Sequence, residues 1–124
     1  MRDPDKYITR GEIIAKLREW QSGAITTQDV WDWASHRYHS GQADYDDWED
    51  ETSSVAHEML GALDSLDMHF ILVEDVSLHL AFLATPLGGF EEGLRCWRAA
   101  QATLDIAGRK LQLRDDPIYS LYCN

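Results

Sequence analysis

Apolar positions recur three and four residues apart along most of the chain, which is the period of amphipathic helices. Ile13, Leu17 and Trp20 fall at i, i+4 and i+7 and form one face. The residues before them, Ile8-Thr9-Arg10-Gly11-Glu12-Ile13, predict a helix start: Thr9 as N-cap, Glu12 completing a capping box, and Ile8 stapled onto Ile13. Ser22-Gly23 ends this helix. The pattern then repeats. Ile25-Thr26-Thr27-Gln28-Asp29-Val30 again places an acid three residues after a Thr, Val30, Trp33, Ala34 and Tyr38 supply the inner face, and Ser40-Gly41 closes it. Two short helices with matching caps and a tight link predict a helical hairpin.

Gly41 to Asp50 has no helical period and reads as a loop. A third helix is expected from about Glu51, with Thr52 or Ser53 as cap and Val55, Met59, Ala62 and Leu66 as a stripe widened by Ala56, Leu60 and Leu63. Gly61 inside it costs ~1 kcal/mol relative to Ala, which a close helix crossing would explain. Asp67-Met68-His69 reads as a connection, and Phe70 to Val73 as a short extended piece or a lead-in to the fourth helix. Glu74 and Asp75 open that helix, Val76, Leu80 and Leu83 line it, and Leu78, Ala81 and Phe82 make it apolar nearly all round. Thr85-Pro86 and Gly88-Gly89 make a turn. A last helical stretch starts near Phe90 with Leu94, Trp97, Gln101 and Leu104 on one face. It is either one kinked helix or two, with Asp105 as a second cap; Asp116-Pro117 ends it, and Ile118 to Tyr122 packs back on the domain. No segment alternates with period two. The expected fold is all-α, a compact bundle of five or six short helices in a single helical domain, 1–124.

Charge changes this picture more than composition does. Thirteen of the 22 acids lie between Tyr38 and Leu94: Asp44, Asp46, Asp47, Glu49, Asp50, Glu51, Glu58, Asp64, Asp67, Glu74, Asp75, Glu91 and Glu92. None of the 11 Lys+Arg does, so the net charge of −11 is concentrated in the middle of the chain. A soluble surface ordinarily mixes both signs. Six of these acids crowd into Asp44-Tyr45-Asp46-Asp47-Trp48-Glu49-Asp50-Glu51, interleaved with two aromatics. Carboxylates accept from Arg forks, and Tyr and Trp are common interface anchors. Asp44, Tyr45, Asp46, Asp47, Trp48, Glu49 and Asp50 are therefore the expected contact for a basic protein partner. The same charge repels nucleic acid and anionic membranes.

Other chemistry is weakly represented. His36 and His39, with Asp44 and Asp46 following, form the best metal candidate and the rival reading of a small metal protein or enzyme. No HExxH or paired Glu-x-x-His motif accompanies them. An EF-hand beginning at Asp44 fails, with Glu49 where Gly is needed and Val55 in place of the closing Glu. No nucleophile elbow or phosphate loop is present, no cofactor is implied, and Cys96 beside Trp97 reads as core. The start Met1-Arg2-Asp3-Pro4-Asp5-Lys6 has no apolar run, so a cytoplasmic protein with reduced Cys96 and Cys123 is expected.

The layout resembles a group of small acidic bacterial proteins. The likeness is carried by Ile8-Thr9 and Ile25-Thr26 before short helices, Asp44 to Asp50, Leu63 to Met68, Glu74-Asp75-Val76, Ala81 to Pro86, and Arg114-Asp115-Asp116-Pro117-Ile118-Tyr119. It is similar to the immunity proteins of contact-dependent growth inhibition and related toxin systems. That resemblance implies a cytoplasmic protein that binds the C-terminal domain of a toxin and blocks its active site. A nuclease toxin, with a basic site for phosphates, would be the natural complement of an acidic surface. Reduction of function to a regulatory subunit with a basic partner but no toxin is the plainer alternative.

Overall fold

The computed structural model describes residues 8–39 and 54–123. Within them every regular element is helical: α1 (Arg10–Ser22), α2 (Thr27–Tyr38), α3 (Val55–Asp64), α4 (Leu66–His69), α5 (Val76–Leu83), α6 (Phe90–Gln101) and α7 (Ile106–Leu113), with 3₁₀ turns at Val73–Asp75 and Ser120–Tyr122. The all-α expectation holds. The last stretch is two helices, the alternative that gives six, and the count among the described residues reaches seven because the connection at residues 67–69 is itself a helical turn.

Local sequence explains most boundaries. Thr9 caps α1 through Glu12 N–H, and Gly23 ends it in the left-handed region, φ 84°, where a Cβ would be strained. Thr26 and Asp29 form the complete capping box of α2, with bonds of 2.9 and 3.1 Å. The first box is only half made, because the Glu12 carboxylate turns instead to Arg37 on α2, 3.0 Å away. Trp20 Nε1 donates to Thr27 Oγ1 at 3.1 Å and closes the α1–α2 hairpin.

The cap of α3 is Ser54, not Thr52 or Ser53: its buried hydroxyl accepts from His57 N–H at 3.0 Å. Three hydroxyl residues in succession can each cap. Burial selects the one whose helix places Val55 and Ala56 fully inside. Val55, Ala56, Met59, Leu60, Leu63 and Leu66 then form the centre of the core, against Ile13 and Leu17 of α1 and Val30 and Ala34 of α2. A Cβ on Gly61 would lie 3.2 Å from the Tyr38 ring, so this glycine does sit at a close crossing of α2 and α3.

α4 ends on Phe70 in the left-handed region, φ 54°. That conformation is rare for a bulky residue, and here burial and stacking of the ring on Tyr119 at 6.3 Å hold it. The inner face of α5 is Val76, His79, Phe82 and Leu83. α6 packs on it through Trp97, whose ring stacks on Phe82 at 4.1 Å and 2°. Cys96 is exposed rather than core, since one residue of rotation carries it off the Trp97 face. Asp105 caps α7 through Gly108 N–H at 2.9 Å, and so α6 and α7 are separate helices. Of the tail, Tyr119 is buried while Leu121 is exposed. No helix among the described residues is long and apolar enough to cross a membrane.

Candidate functional site

The loop expected to contact a partner, Asp44 to Asp50, lies outside the described residues. Its flanks do not. α2 leads into it and α3 follows it, and near those helix ends the rings of Tyr38 and His57 lie 5.4 Å apart. His39, the other residue at that end of α2, sets Nε2 3.1 Å from both carboxylate oxygens of Asp64 on α3. His36 is exposed. The pair thus splits, His39 joining an acid 25 residues away that local spacing did not offer. Asp44 and Asp46, its other supposed partners, fall outside the described residues. Among the described residues no three His, Cys, Asp or Glu side chains are grouped to hold a metal ion.

Seven of the thirteen mid-chain acids are described, and their environments differ. Asp75 is buried against Arg109 of α7, with paired bonds of 2.6 and 2.7 Å. Glu92 pairs with Arg95 on the same helix, and Asp64 with His39. Glu58, Asp67, Glu74 and Glu91 enter no salt bridge among the described residues, and Glu74 and Glu91 are exposed.

Tyr38 and His57 also line a cleft of about 640 Å³ that runs down between α3 and α6 to Asp75 and His79. The sequence places Asp75 at a helix start and gives His79 no role; the signal for the pair is an acid and a histidine at i, i+4 on an otherwise apolar helix. Around them lie several polar contacts. Leu72 N–H donates to Asp75 at 3.0 Å, Arg109 also donates to the Phe70 carbonyl at 2.9 Å, and the Tyr119 hydroxyl donates to the Ile71 carbonyl. Trp97 Nε1 donates to His79 Nδ1 at 3.1 Å.

The electrostatics follow from that geometry. Burial alone would raise the pKa of Asp75, but the hydrogen bonds from Arg109 and Leu72 and the guanidinium charge outweigh it, and the carboxyl is held below its usual range. Burial drives His79 down to about 4, against the attraction of Asp75. Tyr119 is raised, chiefly by burial and then by Asp116 and Asp75.

No family model, curated protein or solved structure matches this chain. The site must therefore be read from its own residues. On the other side of Trp97 a smaller, mostly apolar groove of about 460 Å³ runs between α5 and α6, lined by Leu78, Phe82, Pro86 and Ala100, with Cys96 at its edge.

Proposed function

We propose that this chain binds a basic protein partner through its acidic mid-chain surface, and that it acts as an immunity protein covering the active site of a toxin domain, a nuclease in the form that best matches the charge. The observation that carries the reading is the segregation of charge: thirteen acids and no Lys or Arg between Tyr38 and Leu94. Glu58, Asp67, Glu74 and Glu91 add support, because they enter no internal salt bridge among the described residues. Asp75 does not contribute, since Arg109 already neutralises it. Asp44 to Asp50, with Tyr45 and Trp48, supply steering charge and aromatic anchors in this reading.

Binding to the product of the gene directly upstream, measured at two salt concentrations, tests it. Fast association that slows with salt is expected, because steering acts through screened charges. Reversing Asp46, Asp47 and Asp50 to Lys is expected to cut the association rate by about tenfold or more. An unchanged rate would remove the loop from the contact. Absence of binding, together with no loss of growth protection on deletion, would overturn the toxin reading.

A further inference from the structure

The cleft between α3 and α6 ends on a histidine whose hydrogen bonding is half complete. His79 is 1% exposed. The Trp97 indole N–H is only a donor, so His79 Nδ1 must be the acceptor and the neutral ring carries its proton on Nε2. That Nε2–H has no partner among the described residues. A buried donor without an acceptor is uncommon in a folded protein and destabilising unless something fills the position. His79 lines the cleft, and the cleft's volume of about 640 Å³ is within the range of small-molecule sites.

The lining also limits what enters. Trp97, Ile71, Leu104 and Ile106 supply apolar surface, and Tyr38 a ring face near the His57 ring. Of the charged side chains that line it, Glu58 and Arg98 cancel in formal charge, and Asp75 is already held by Arg109. A carboxylate or an ammonium ligand would therefore find no net charge to oppose its own. An uncharged molecule finds both an apolar wall and a waiting donor.

We propose that this cleft is a binding site for a small uncharged organic molecule with a flat apolar body and a carbonyl-type acceptor, the acceptor taking the Nε2–H of His79 and the body lying against Trp97. The site shares Glu58 with the acidic surface, but its argument does not depend on the partner reading.

Four probes that differ in one group test it on the full-length chain: benzamide, benzoate, benzylamine and toluene, followed by Trp fluorescence and by the ¹⁵N resonances of the histidine rings. Benzamide is expected to saturate with a Kd of about 0.5 mM, as befits so small a ligand, and to bind at least about tenfold tighter than the other three. It is also expected to move the Nε2 resonance of His79. Ala102 lines the cleft and is exposed, so Ala102→Trp fills the opening without touching the network and should weaken benzamide at least about tenfold. His79→Phe removes the donor, and a folded variant should bind benzamide no better than toluene. Equal binding of toluene, stronger binding of benzoate or benzylamine, a silent Nε2 resonance, or indifference to Ala102→Trp would each overturn the proposal, as would failure of benzamide to bind.

Discussion

Arg109 with Asp75 and Arg95 with Glu92 are the same two charges in two settings. The first pair joins α7 to the start of α5, with its side chains 11% and 4% exposed. The second lies along one helix at i, i+3, 70% and 66% exposed. Both carboxylates are held below their usual range. In Asp75, burial opposes the shift and hydrogen bonds from Arg109 and Leu72 overcome it; in Glu92, the Arg95 hydrogen bond acts with almost nothing against it. A shift in the same direction therefore carries a different structural meaning in the two pairs. Glu92 remains solvated whether or not Arg95 is present. Asp75 depends on its partner, because removing one member of a buried pair strands the other.

The largest expected effect follows from breaking the buried pair. Asp75→Ala should cost about 3 to 5 kcal/mol in denaturant unfolding, because Arg109 is left buried and uncompensated. The double variant Asp75→Leu with Arg109→Met should recover part of this loss. Recovery stays incomplete because Leu72 N–H and the Phe70 carbonyl still lose their partners. A double variant as unstable as the single one would mean that the charges themselves were not the issue.

The next effect depends on pH and concerns the histidine one turn beyond Asp75. His79 titrates near 6.5 when unfolded and at about 4 when folded. Between those values the unfolded chain binds more protons, so stability rises with pH. The contribution is complete above about pH 6.5 and is lost as pH falls toward 4, with a total of about 3 kcal/mol. Urea midpoints collected across that window should show this slope, and His79→Gln should flatten it. Asp75 acts lower: its contribution is present above the ordinary carboxyl value of 3.8 and disappears as pH falls further. The smallest effect is that of Glu92→Gln, whose melting temperature should match the parent within error at physiological salt. A large drop would show that exposure does not separate the two pairs.

Legibility in the sequence follows the same division between local and distant interactions. Thr9, Thr26, Gly23 and the stripe from Val55 to Leu66 act within a turn or two of themselves, and their roles could be read directly. Gly61 was readable as a crossing, though the Tyr38 ring it admits was not. The departures have a common cause. Glu12 has a local partner in Thr9 and a distant one in Arg37, and the distant one holds its carboxylate. Asp75 satisfies the rule for a helix start and also binds a guanidinium 34 residues later. Sequence spacing ranks only the first of such alternatives. Cys96 and Trp97 are adjacent letters, yet one turn-step of about 100° leaves the first exposed and the second buried. The seven residues proposed for partner contact lie in a stretch where composition rather than periodicity carries the information.

Arg109 and Tyr119 reach back to the backbone of residues 70 and 71, and Arg109 also to Asp75, so the end of the chain fastens its middle. On the ribosome, Asp75 is synthesised 34 residues before its counter-charge. The core of α1, α2, α3 and α5 then holds an acid that cannot yet be desolvated, and its final packing waits for α7. A premature stop codon before Arg109 removes few core residues but leaves that acid permanently unanswered. Such truncations should be cleared by proteases rather than persist as shortened, working proteins.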